Sequence, residues 1–287
     1  MQRDDRLVDD IDVRLPAVFS PNEVLSGPLS RHHMQQRMAL SRWHRLRPGQ
    51  YCLSSQWNSA DRRTKHLLSA IAEARTHTDH VVSHLSAACL HGWLEPLHGF
   101  GDVTLTNPRL GQTGRRSAGS LVRVAHLPEA QMTWRHGVRV TTPARTAADL
   151  LRCAPASEAV ALVDAALRRG DLSYAQLAEV LDWQERWPHV RRGRSLLTLI
   201  DPRRETWIES WSFAELHEVG VPLPEPQVDV FDAHGLWIAR VDGLWVAEAT
   251  VAEADGQIKY ALDSPLNGYD GMPTQEQVRR VQRRLDE

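Results

Sequence analysis

Residues 43–53 read Trp43-His44-Arg45-Leu46-Arg47-Pro48-Gly49-Gln50-Tyr51-Cys52-Leu53. Polar and apolar residues alternate on both sides of Pro48-Gly49, the pattern of two half-buried strands. Proline presets φ for the second position of a turn, and Gly49 supplies the positive φ that a type II turn needs next. The stretch therefore predicts a β-hairpin. Just upstream, Ser30 is placed to cap a helix whose Met34 and Met38 share one face, with Leu29 stapling its start. The other face carries Arg31, His32, Gln35 and Gln36. Further upstream, Ser20-Pro21 opens a helix with Val24 and Leu25, and Gly27-Pro28 ends it.

Helix, turn, helix and hairpin in this order are the layout of a winged helix, whose second helix enters the major groove while the wing meets the flanking backbone. The residue types suit that use. Arginine and glutamine can pair bidentately with guanine and adenine edges, and Arg31 and Gln35, four apart, point the same way. Arg42, Arg45 and Arg47 lie beside or in the hairpin, where phosphate contacts are expected. A solvated basic face on a structural or protein-contact module would use the same residues.

Between Pro28 and Lys65 the chain has seven arginines and one lysine against a single acid, Asp61. From Asp201 to the end it has 17 acids against 8 bases. A basic first part and an acidic last part suggest different jobs. The net charge of −2 hides this asymmetry. The only lysines are Lys65 and Lys259, an arginine bias that a GC-rich genome produces, so arginine abundance alone says nothing about DNA. Three distant cysteines, Cys52, Cys89 and Cys153, form neither a zinc spacing nor a disulfide framework. No apolar run is long enough to span a membrane, and the charged start has no apolar signal region. A cytoplasmic protein is expected.

The central part alternates strand and helix signals. Arg62–Glu73 and Ser83–His91 read as helices; Asp102–Thr106, Leu121–His126 and Val138–Thr141 read as strands, with a loop over Gly111–Gly119. Thr142-Pro143 opens a helix to Cys153, Ser157–Arg169 forms another, and Ser173 with Gln176 makes a capping box for a third. Ser83, His84 and His91 could be taken for a catalytic set, and His77, His80 and His84 for a metal spacing. Ala87, Ala88 and Leu90 favour a buried helix instead. Arg145 and Asp149, spaced i,i+4, fit an intrahelical ion pair.

With these residues in view, a resemblance emerges. Phe19-Ser20 with Trp43 to Tyr51 resembles the N-terminal domain of AbiEi-type antitoxins of type IV toxin–antitoxin systems, which typically show a basic residue, leucine, a basic residue, any residue, glycine, any residue and tyrosine at the wing. Ser83-His84-Leu85-Ser86-Ala87-Ala88-Cys89-Leu90-His91-Gly92 resembles the next block of that family. Thr141-Thr142-Pro143-Ala144-Arg145-Thr146-Ala147-Ala148-Asp149-Leu150 resembles the third. The resemblance implies autoregulation through binding of double-stranded DNA and, for some members, neutralisation of a nucleotidyltransferase-like toxin.

The last part reads as a helix over 205–218, with Trp207 and Trp211 at i,i+4, and strands at Val228–Phe231, Leu236–Trp245 and Ala249–Ala254. Arg240-Val241-Asp242-Gly243 and Ala252-Glu253-Ala254-Asp255 resemble the core of very-short-patch-repair-like, restriction-endonuclease-like domains that often follow AbiEi-like modules in actinobacteria. That resemblance implies Asp242 and Glu253 as ligands of Mg²⁺, Glu209 as an extra carboxylate on the helix, and Asp255 and Lys259 beside them. The sequence departs from the pattern. Asp255 stands where a lysine is usual, Lys259 lies beyond Gly256, Phe213 stands where relatives often carry a basic residue, and the chain stops at Glu287 before the strand that completes such a sheet.

The expected fold is α+β. A winged helix-turn-helix spans 1–56, a mixed α/β region 57–200, and an incomplete restriction-endonuclease-like α/β segment 201–287. The leading expectation is an antitoxin-like DNA-binding regulator that needs no cofactor and cuts DNA poorly or not at all. The alternatives are a Mg²⁺-dependent DNA endonuclease and an interaction module whose acidic end meets a basic partner.

Overall fold

The structure, a computed structural model, describes residues 15–25, 31–40, 42–93 and 99–254. Gly27-Pro28, the Ser30 cap, the side chain of Met34, and Asp255 and Lys259 lie outside them. Among the described residues the fold is mixed α+β, with ten α-helices and three sheets, one of them six-stranded. Two compact units are present, Met1–Leu223 and Pro224–Glu287.

The first unit opens with α1 (Pro21–Leu25) and α2 (Arg31–Ala39), followed by the hairpin of β1 (Trp43–Arg47) and β2 (Gln50–Leu53). Gly49 turns the hairpin at φ +77°, as the Pro-Gly pair requires. Phe19 adds a short third rung through reciprocal backbone bonds with Tyr51, both 2.9 Å. Phe19, Val24, Trp43 and Tyr51 form a small aromatic core, with Phe19 and Trp43 edge to face at 4.9 Å. The register shifts between Arg45 and Arg47. Such a bulge re-aims the following side chain, here Arg47.

After α3 (Ser54–Ser59), the long helix α4 (Arg62–Thr76) starts on Asp61, whose carboxylate caps the Thr64 N–H at 2.7 Å. Its Leu68, Ile71 and Ala72 join one core with Val18 and Cys52 on one side and Val82, Leu105 and Val140 of the sheet on the other. The sheet consists of β3 (Val81–Val82), β4 (Val103–Asn107), β5 (Arg115–Ser117), β6 (Ser120–Val124), β7 (Met132–Arg135) and β8 (Val138–Thr141), in the order β5-β6-β4-β3-β8-β7. Pairs β4–β6 and β3–β8 are parallel and the rest antiparallel. The loop expected over Gly111–Gly119 is not loop throughout. Arg115–Ser117 within it is a strand, fully exposed at the sheet edge, where no burial stamps a pattern on the sequence.

Helix α5 (His84–Leu90) is buried between the sheet and a helical layer of α6 (Pro143–Cys153), α7 (Ala156–Arg168), α8 (Tyr174–Trp183), α9 (Val190–Leu197) and α10 (Trp207–Glu218). Local chemistry sets these helix starts. Thr142 caps α6 ahead of Pro143, and Ser173 with Gln176 closes a capping box on α8. The second unit is an antiparallel sheet of β9 (Glu225–Phe231), β10 (Trp237–Trp245) and β11 (Thr250–Ala252), with β10 central.

Candidate functional site

The basic residues of the first unit divide into two groups. Arg31, His32, Gln35 and Gln36 on α2 are all exposed, whereas Arg37 of the same helix is buried. Arg42 and Arg45 are also exposed, at the entrance to β1 and along it. The loop between α2 and β1 is closed by the Arg42 N–H donating to the Arg37 carbonyl at 3.0 Å and by the Ser54 N–H donating to the Arg42 carbonyl at 2.8 Å. The hairpin is thus set directly after α2, and the exposed cations of both elements follow one another.

Arg47 differs. Beyond the bulge its Nε is in ion-pair contact with Glu73 of α4, and its Nη1 donates to the Ala118 carbonyl at 2.9 Å. Glu73 is almost fully buried. Two residues on, Arg75 donates to Gln50 Oε1 at 2.9 Å and pairs with Glu23 of α1. Arg75 holds the Glu23 carboxyl down at about 2, well below its ordinary value. In the same strand as Arg47, His44 stacks on Trp57 at 4.2 Å, and Lys65 lies over the same indole at 5.6 Å. Burial and the Lys65 charge keep His44 below its usual range.

A second polar cluster is buried under the helical layer. Asp149 accepts from Arg145 Nε at 2.8 Å and Arg152 Nη2 at 2.7 Å, with Gln184 at 3.3 Å. Both guanidiniums lie over Trp187, at 4.7 and 5.0 Å. The expected i,i+4 pair is therefore half of a triad, whose second arginine lies one turn further on. Nearby His84 is fully enclosed at φ +54°, bonded to Ser83 Oγ at 3.0 Å, and burial pushes it down to about 4. His91 bonds the Thr141 carbonyl at 2.7 Å. These residues tie α5 and α6 into the core, and among the described residues no group of three or more His, Cys, Asp or Glu could hold a metal ion.

The carboxylates singled out in the last part are engaged elsewhere. Glu209 is buried, and its oxygens accept from the Glu205 N–H (2.9 Å), the Thr206 N–H (2.9 Å) and the Thr206 hydroxyl (2.6 Å). It is the third residue of a capping box on α10. The signal was legible as Thr206-x-x-Glu209, the same pattern as at Ser173. Phe213 is buried beneath Arg204. In the second unit Asp242 takes the Ala254 N–H at 2.8 Å and the Gln227 amide at 3.3 Å, and Glu253 is exposed.

Residues 81–199 match the AbiEi antitoxin C-terminal domain family. The chain is also distantly related to uncharacterized mycobacterial proteins. MT2308 and Rv2248, from two strains of Mycobacterium tuberculosis, are each 28% identical over 169 residues, covering 58% of this chain and 62% of theirs. The chain thus spans less than two thirds of the length of the curated relatives it matches. The crystal structure of the RV2827C protein from Mycobacterium tuberculosis aligns over 69% of this chain and 81% of that one, at a TM-score of 0.37 and 14% identity. No described helix is long and apolar enough to cross a membrane.

Proposed function

We propose that this chain is an antitoxin-type regulator that binds double-stranded DNA through a winged helix formed by α1, α2 and the β1–β2 hairpin. The observation that carries the reading is the exposure of Arg31, His32, Gln35 and Gln36 on α2, of Arg42 just before the hairpin and of Arg45 in it. The one acid between Pro28 and Lys65, Asp61, caps α4. A helix bearing arginine and glutamine can read base edges in the major groove, and flanking arginines can neutralise phosphates. The match of residues 81–199 to an antitoxin domain supports a cognate toxin as the second partner, of the nucleotidyltransferase-like kind that the family resemblance implies. Glu209 closes the capping box on α10, which accounts for its burial.

The test is binding of the full chain to a duplex carrying its own upstream sequence, measured across a salt series. Affinity is expected to fall steeply with salt as condensed counterions are released. Absence of binding at low salt would refute the reading.

A further inference from the structure

The hairpin does not stand free of the region that matches the antitoxin domain. Arg47 reaches two places at once, Glu73 on α4 and the Ala118 carbonyl in the turn between β5 and β6. Ala118 lies inside the matched residues 81–199. Arg75 grips the hairpin at Gln50 and α1 at Glu23. α4, which carries both Glu73 and Arg75, is itself packed on the sheet through Leu68, Ile71 and Ala72. Gly119 adds a steric reason for the fit, since a Cβ there would lie 3.2 Å from the Arg47 guanidinium.

Simple electrostatics gives no reason for Glu73. A buried carboxylate next to a surface meant for phosphates weakens that surface, and burying it is costly unless it is paired. We propose that Arg47, Glu73 and Arg75 are positioning residues for duplex binding: they lock the hairpin and α1 to α4 and to the Ala118–Gly119 turn, so that Arg42 and Arg45 meet the duplex at a fixed angle to residues 81–199. This rests on the DNA-binding reading above and assigns Arg47 a different part in it. Arg47 works by its fork, bridging two partners, and not by its charge alone. A lysine in its place keeps the charge but has no planar fork to hold both partners.

The experiment uses the full chain and a duplex carrying its own upstream sequence, with Glu73→Gln, Arg47→Lys, Arg75→Gln and Arg186→Lys. Amide hydrogen exchange over residues 50–53 is followed in parallel without DNA. Glu73→Gln is expected to weaken binding about tenfold although it removes a negative charge, with an unchanged salt slope because no phosphate contact is lost. Arg47→Lys and Arg75→Gln are expected to act in the same direction, and Arg186→Lys, at an exposed arginine outside α2 and the hairpin, to bind as the unaltered chain does. Hairpin amides are expected to exchange faster in the first three variants. Tighter or equal binding by Glu73→Gln, full binding by Arg47→Lys, or unchanged hairpin exchange would overturn the proposal. Arg75 is half-buried, so Arg75→Gln decides the matter if Glu73→Gln fails to fold. A chain that binds no duplex at all refutes the DNA-binding reading, whereas the exchange comparison still decides whether the lock exists.

Discussion

Arg47 of β1 and Glu73 of α4 form an ion pair in which the acid is buried and the base is three-quarters shielded, with side-chain exposures of 5% and 23%. The neighbouring Arg45 is exposed. Two arginines two positions apart in the same strand are therefore not equivalent. The bulge between them turns one inward and leaves the other outward.

The outward set should carry the contacts. Arg45→Ala and Arg42→Ala are expected to weaken binding to all duplexes alike and to reduce the salt slope by roughly one for each lost phosphate contact. Arg31→Ala or Gln35→Ala should chiefly narrow the gap between the preferred and a scrambled sequence, by about 1–3 kcal/mol for a lost base contact. Anisotropy titrations on both duplexes at several salt concentrations separate the two outcomes. A uniform effect of all four substitutions would mean that α2 does not read bases.

Glu209 is expected to behave as a structural cap. Thr206→Ala or Glu209→Ala removes one side of the box, and loss of such a cap costs about 0.5–2 kcal/mol. Urea unfolding followed by circular dichroism checks this. An unaltered midpoint in Glu209→Ala would show that the box contributes nothing to stability.

Asp149 neutralises two arginines in an interior with almost no solvent. Asp149→Ala leaves both guanidiniums buried without a counter-charge, and breaking a buried pair from one side costs about 3–5 kcal/mol. A large drop in melting temperature, or failure to fold, is expected. A shift within the range of surface substitutions would contradict the triad as placed.

Much of this was readable before any coordinates. Pro48-Gly49, Thr142-Pro143 and Ser173 with Gln176 each announce a local conformation through steric and hydrogen-bonding rules that act within four residues. The parallel pairing of β4 with β6, and the three short strands Val81–Val82, Arg115–Ser117 and Met132–Arg135, were not readable. Their pairing is decided by distant partners, and two or three residues carry no period. Arg47 illustrates the same limit at the site. Its residue type fits a phosphate contact, and only the fold brings Glu73 and Ala118 to it. Glu209 is the reverse case, where a local signal four residues wide, Thr206-x-x-Glu209, announces the capping box that the structure shows.

Acid should loosen the region around α5. Burial lowers His66 and His84 from 6.5 to about 4. Because both are depressed, the unfolded chain binds more protons between those values, and stability falls as pH drops from about 6.5 to about 4. Denaturant midpoints measured across that window should decline. His84→Asn, which suits the positive φ at this position, should flatten part of the decline. An equally steep decline in that variant would mean that His84 is not a source of it.

The central claim concerns where DNA meets the chain. Amide hydrogen exchange of the full chain, with and without a duplex carrying its upstream sequence, tests it most directly. New protection is expected over residues 31–39 and 42–51, with none over α6 to α9. Protection confined to α6–α9 or to the second unit, with α2 and the hairpin unchanged, would contradict the account.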